Sequence, residues 1–260
     1  MEKHCLIFQP SGLGDILFIQ KLASVWRNRG FKITHPVMYE YRWLGDYING
    51  SDFCWWHPDD VNQSTLTSGL FNKTKNRLPE CVNIPCKDKF FVDGKSEFTE
   101  DFIFFNGFEP PQGRVMEWKY IKSGIDWSDW SDYLVFNRNN EKEDKLFYDV
   151  CGIKDGEEYV FVNKNFGLRR NNNIYNRIST NPYDYNNKRV VELNMLDGYS
   201  IFDWLKVVEN ASEIHMIETS LNYLLETSYV NLKADVMNLY HRHGFWQEVK
   251  YLFKIKWNYK

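Results

Sequence analysis

The stretch QPSGLGDILFIQKLA, Gln9 to Ala23, constrains the fold more than any other part of the chain. An apolar run, Cys5 to Phe8, enters a glycine turn and leaves it as a helical pattern. Ile16, Leu17, Ile19, Leu22, Ala23 and Trp26 form an apolar stripe at helical spacing. The spacing predicts a strand over residues 4–9, a turn over 10–14 and a helix over 15–29. Gly30 stops the helix, and a second strand runs over 32–38. A strand–helix–strand opening of this kind implies a parallel sheet with helices on its faces.

Between residues 42 and 136 the pattern is less regular. A short helix is expected over 42–48, with short strands over 81–84, 90–92 and 102–105. The aromatic run EWKYIKSGIDWSDWSDY follows, from Glu117 to Tyr133. A polar connector, NRNNEKEDK (residues 137–145), precedes a helix, and composition shifts there, so a junction falls within 136–156. The alternation then resumes. Strands are expected over 159–163, 189–193, 213–217 and 235–240, with helices over 200–209, 221–226 and 245–253. An Asn-rich loop lies over 171–187. The simplest arrangement is two α/β units facing each other across a cleft.

Composition excludes several classes. At 260 residues the chain suffices for one large domain or two small ones. A net charge of -3 offers no basic field for nucleic acid. Five cysteines without a CxxC pair indicate neither a zinc site nor a disulfide framework. No run of 18 apolar residues suggests a membrane span, and the N-terminal apolar run is too short for a signal peptide. A reduced, cytoplasmic protein is the expectation. The pattern says nothing about oligomeric state.

Gly12, Leu13 and Gly14 let a ligand approach the backbone at a helix start. A dinucleotide fingerprint would place a third glycine where Leu17 stands, which disfavours a Rossmann oxidoreductase. A P-loop is excluded by the missing Lys-Ser/Thr ending. Asp15 complements the helix dipole, and its plainer reading is a helix start. It also suits acceptance of a proton from a nucleophilic hydroxyl. In the second half, Glu218-Thr219-Ser220 joins a strand to a helix, and Thr219 and Ser220 suit either a plain cap or a diphosphate. Lys164, Arg169 and Arg170 follow another strand end. They read either as a solvated basic loop or as cations for a leaving diphosphate. Asp59-Asp60 and the acidic residues of 127–132 read as surface or acceptor-side groups. His241-Arg242-His243 favours a solvated or phosphate-side role over a metal site.

With these residues in place, the sequence resembles the GT-B-fold glycosyltransferases, nearest to the ADP-heptose:lipopolysaccharide heptosyltransferase group (family 9). The resemblance rests on SGLGDILFIQKLA and on SIFDWLKVVENASEIHMIETSLNYLLE, where Glu218-Thr219-Ser220 stands in place of Asp-Thr-Gly. It covers the first 40 residues and about residues 159–230. It implies two Rossmann-like domains, an acceptor-side one over residues 1–140 and a nucleotide-sugar-binding one over 141–260. The resemblance puts the catalytic base on Asp15 and the diphosphate turn on Thr219 and Ser220. It puts a donor-side cation on Lys164, Arg169 or Arg170, and a nucleobase contact near Tyr199. The family's histidine after the turn is replaced by Tyr223 and its glycine by Ser220.

The implied activity is an inverting, metal-independent sugar transfer from a nucleotide-sugar donor to a glycan or other hydroxyl acceptor. No resident cofactor and no metal are expected. The alternative is a non-catalytic nucleotide- or glycan-binding module of the same fold.

Overall fold

A computed structural model describes residues 2–38, 41–49, 52–56, 95–109, 111–164, 178–241 and 249–260. The chain divides into two compact units, Met1–Asn137 and Arg138–Lys260. The strands expected over 81–84 and 90–92 lie outside the described residues, as do Asp59 and Asp60.

The first unit holds β1 (Lys3–Phe8), α1 (Leu13–Phe18), α2 (Gln20–Asn28), β2 (Phe31–Met38), α3 (Leu44–Tyr47), β3 (Asp52–Trp56), β4 (Glu97–Phe98), β5 (Phe102–Asn106) and α4 (Val115–Ile121). Its sheet has the order β3-β2-β1-β5-β4, parallel except for β4. Strand β1 sits at the centre, so Cys5, Leu6, Ile7 and Phe8 are all buried. An unbroken apolar run is what a strand covered on both faces requires.

The helix expected over 15–29 forms as two pieces that meet at Ile19. The side-chain amide of Gln20 donates to the carbonyl of Ile16 at 2.7 Å and so enters the helical ladder there. Gly30, at φ +88°, closes the second piece in the left-handed conformation. In α4, Met116, Lys119 and Tyr120 are buried on one face. Trp130 is also buried and tilts against Phe18, so the 127–132 segment is partly core, not wholly surface as its acidic residues suggested. Its Asp129 pairs with the buried Lys21.

The second unit holds α5 (Asn140–Asp144), a π-helical turn (Lys145–Val150), β6 (Tyr159–Asn163), β7 (Arg189–Glu192), α6 (Leu205–Glu209), β8 (Glu213–Ile217), α7 (Ser220–Leu225), β9 (Val236–Tyr240) and β10 (Asn258–Tyr259). All its strands are parallel, in the order β10-β9-β8-β6-β7. The polar connector is no loose linker in its later part. Asn139 caps α5 through the Lys142 amide, and Arg138 binds Glu143 at 2.9 Å and Glu209 at 2.8 Å.

Two expected elements change in this unit. The helix expected over 200–209 starts only at Leu205. The Ser200 amide and hydroxyl both donate to the Asp203 carboxylate, at 2.7 and 3.1 Å, which closes a turn instead. Of the helix expected over 245–253, the described part is a single 3₁₀ turn, Lys250–Leu252. Strand β10 was not anticipated.

Candidate active site

In an open parallel sheet, ligands bind beyond the carboxyl ends of strands, where the strand order reverses. In the first unit that reversal falls between β1 and β5, because β1 leads outward to β2 and β3 while β5 lies on its other side. The register sets Phe8 opposite Asn106, so the segments after both strands emerge side by side. Gln9–Asp15 follows β1 and Asn106–Glu109 follows β5.

These two segments are joined by Lys119 of α4. Its ammonium donates to Gln9 Oε1 at 2.7 Å and to the Gly107 carbonyl at 2.9 Å, and lies 3.1 Å from Asp15 Oδ1. The Gln9 side chain lies so close to Gly107 that a Cβ there would come within 2.0 Å of Gln9 Oε1. Gln9 Nε2 donates to the Ser11 carbonyl at 2.6 Å and fixes the amide's orientation. Gly12 has φ +77°, a conformation open to glycine at little cost. A Cβ on it would sit 2.5 Å from Asp15 Oδ2. The carboxylate therefore folds back over the glycine that precedes it. Leu13 and Gly14, expected in the turn, are instead the first residues of α1 and are half-buried.

One helical turn beyond Lys119, Lys122 donates to the Asn106 carbonyl and lies 3.5 Å from Glu109 Oε2 and 4.4 Å from the centre of the Phe105 ring. Burial pulls the Lys122 ammonium down to about 8, against the opposing pull of Glu109. Burial alone would raise the Glu109 carboxyl. Donors from Ser96 and the Lys122 charge outweigh that and hold it below the usual carboxylate range. Lys119, Lys122, Gln9 and Glu109 were not singled out in the sequence. A visible signal existed, because Lys119 stands between core positions Met116 and Tyr120 of a helix.

In the second unit the reversal falls between β6 and β8. Asn163, the buried last residue of β6, donates to Thr219 Oγ1 at 3.3 Å. Thr219 opens α7 in a capping box with Asn222, and its amide donates to Asn222 Oδ1 at 2.7 Å. The Thr219 amide is thus engaged within the chain, while Ser220 is half-buried beside it. Glu218 is buried, its amide donates to the Tyr240 carbonyl at 3.0 Å, and its Oε2 lies 3.6 Å from His241 Nε2. His241 is buried too, so the solvated role expected for it does not hold; Arg242 and His243 lie outside the described residues.

Lys164 lies 3.5 Å from Glu192 Oε1. Arg169 and Arg170 lie outside the described residues. Tyr199 follows Gly198, which has φ +82° and whose carbonyl accepts from Lys142 at 3.0 Å. Tyr223 is buried, with its ring edge-on to Phe253 at 5.4 Å. Gly12, Leu13, Gly14 and Asp15 thus stand together on the first unit. Glu218, Thr219 and Ser220 stand together on the second. Among the described residues, no group of three His, Cys, Asp or Glu side chains is placed to hold a metal ion. No described helix is long and apolar enough to cross a membrane.

Two parallel α/β units, each with a polar cluster at its order reversal, define the class of architecture. No protein-family model matches the chain. A search of curated proteins finds no match either. Among solved structures, the chain is similar to the crystal structure of the glycosyl transferase family 9 from Veillonella parvula DSM 2008. The identity is 9%, the match covers 93% of this chain and 81% of that one, and the TM-score is 0.47.

Proposed function

We propose that the protein is a glycosyltransferase that moves a sugar from a nucleotide-sugar donor to a hydroxyl of a glycan-type acceptor. The observation that carries this reading is Asp15, a carboxylate folded over a left-handed glycine at the order reversal of a parallel sheet. A carboxylate so placed suits a general base. It takes the proton of the acceptor hydroxyl as that oxygen attacks the anomeric carbon. The bond from that carbon to the diphosphate breaks on the opposite side, which inverts the configuration.

The first unit then serves the acceptor and the second the donor. Thr219 and Ser220 border the diphosphate, and Lys164 with Arg169 and Arg170 offsets its departing charge. Tyr199 and Tyr223 complete the donor side, and Glu218 shapes the turn. The reaction in this reading uses no metal ion, because the cationic side chains carry the leaving-group charge.

A thermal-shift screen of nucleotide sugars in EDTA tests the reading, since a ligand that binds the folded state raises its melting temperature by mass action. One donor should stabilise the chain and be turned over to its nucleoside diphosphate. Asp15→Ala should keep the stabilisation and lose the turnover. Stabilisation without turnover in the unaltered protein would favour the non-catalytic binding module.

A further inference from the structure

The two oxygens of Asp15 do not have the same surroundings. Oδ1 lies 3.1 Å from the Lys119 ammonium. Oδ2 lies over Gly12, 2.5 Å from where a Cβ would stand. We infer that Lys119 is a positioning residue of this site: it anchors Oδ1 of Asp15 so that Oδ2 is the oxygen that receives the acceptor proton. The inference rests on the reading of Asp15 as the general base and adds what holds that base in place.

Three observations support it. Lys119 donates hydrogen bonds to Gln9 Oε1 and the Gly107 carbonyl, and its charge lies 3.1 Å from Asp15 Oδ1 as an ion pair. All three oxygens belong to the segments that follow β1 and β5, so the lysine's head is tied to the sheet edge itself. Its stem leaves α4 between Met116 and Tyr120, both buried, which removes its freedom to swing.

The pair is also asymmetric in exposure. The Lys119 side chain is 4% exposed and that of Asp15 is 32%. A pair serving only the fold gains little from a buried lysine, because packed apolar residues in its place are often as stable or more so. A buried cation that presents a half-open carboxylate fits a different purpose. It fixes one oxygen and leaves the other over Gly12, where no side chain covers it. When Oδ2 takes the proton, the new bond joins the acceptor oxygen to the anomeric carbon and the nucleoside diphosphate leaves. The proton returns from Asp15 to solvent after product departs, and the carboxylate again balances Lys119.

The test uses the full chain and the nucleotide sugar, from UDP-, GDP-, ADP- and dTDP-linked hexoses, that raises its melting temperature most. Nucleoside diphosphate released with water as acceptor is followed for wild type, Lys119→Met, Lys119→Arg, Asp15→Asn and the Lys119→Met/Asp15→Asn double variant. Misplacing a reacting group by about 1 Å costs on the order of 100-fold. Lys119→Met should therefore lose about 10- to 100-fold in kcat with donor KM held within about twofold. Lys119→Arg should recover part of the loss.

Because Lys119 acts through Asp15, the double variant should be no slower than Asp15→Asn alone. Should Lys119→Met fail to fold, Lys119→Gln, which keeps a donor for the Gly107 carbonyl, takes its place with the same expected loss. A normal kcat in the folded Lys119 variant, while Asp15→Asn is slow, overturns the inference and leaves the base reading standing. A double variant slower than Asp15→Asn by the full Lys119→Met factor overturns it as well. Normal turnover by Asp15→Asn, or no turnover of any donor by wild type, overturns the base reading and this inference with it.

Discussion

At the end of β5, Asn106 leads into a segment held by two lysines, the buried Lys119 of α4 and Lys122 at that helix's C-terminal end. At the end of β6, Asn163 reaches Thr219 through a neutral amide–hydroxyl contact. The strand plans behind these edges are alike: each sheet reverses its order beside a buried asparagine that ends a strand. The finishing chemistry differs. The first edge carries two ammonium–carboxylate pairs, Lys119 with Asp15 and Lys122 with Glu109, packed between two strand ends. The second edge satisfies its turn with the Thr219–Asn222 capping box and keeps its nearby charges, Glu218 with His241 and Lys164 with Glu192, in separate pairs. Fixed charges beside a half-open carboxylate suit proton transfer. A neutral turn at a helix start suits holding an anion without reacting with it.

The largest effect should come from Asp15→Asn, which keeps the shape of the side chain and removes the base. Turnover should fall by about 10²–10⁴ while donor affinity by calorimetry stays near wild type. A parallel loss of donor affinity would break the division between a reacting edge and a holding edge.

Charge in the second unit is expected to serve the fold instead. Arg138 binds the buried Glu143 and also Glu209. Burial raises the Glu143 carboxyl, and the Arg138 guanidinium opposes that rise. Arg138→Met strands Glu143 and should cost about 3 kcal/mol or more in urea unfolding, with donor affinity unchanged in the folded fraction. A loss of donor affinity in that fraction would mean that this network also supports the holding edge.

The next effect depends on pH. Lys122 is held down to about 8 by burial, from an ordinary value near 10.5. Its folded value is lowered, so between about pH 8 and 10.5 the unfolded chain binds a proton that the folded chain does not. The stability contribution therefore rises with pH through that window, by about 3 kcal/mol at most. Below pH 8 both states are protonated and the burial cost is borne in full. Denaturant midpoints taken at pH 7.5 and 9.5 should show the rise, and Lys122→Met should flatten it. An equal rise in the variant would place its source elsewhere.

Much of this plan could be read from residue order. CLIF and YVFVN form inner strands because a strand covered on both faces is largely apolar, and EIHMI joins them with its one buried polar side chain, His215, hydrogen-bonded to Asn238. The glycine turn and Asp15 were visible because a left-handed residue and a first-turn carboxylate leave local signatures. The burial of Lys119 left a local signal, but its pairing with Gln9 and Asp15 did not, since those partners lie about a hundred residues away and only the sheet register brings them together. The late start of α6 was hidden for the opposite reason. Ser200 and Asp203 have ordinary helical spacing, and only their mutual hydrogen bonds divert the chain. His241 looked solvated within a polar His-Arg-His run, yet the strand end turns it inward beside Glu218.

The smallest expected effect tests the holding edge itself. Asn222 is fully buried, and its Oδ1 accepts the Thr219 amide at 2.7 Å. That amide is one of the helix-start donors a diphosphate would otherwise meet. Asn222→Ala removes the acceptor, so the amide loses its partner in the empty protein. Loss of a cap costs about 0.5–2 kcal/mol, and a stability drop near 1 kcal/mol is expected in urea unfolding. Nucleoside diphosphate affinity should stay within about twofold, because the donor then meets an amide no longer engaged by a side chain, which offsets any loosening of the turn. If affinity falls tenfold together with stability, the Asn222 cap is part of what shapes the donor turn. The second edge would then depend on its internal hydrogen bonds as much as the first depends on its lysines.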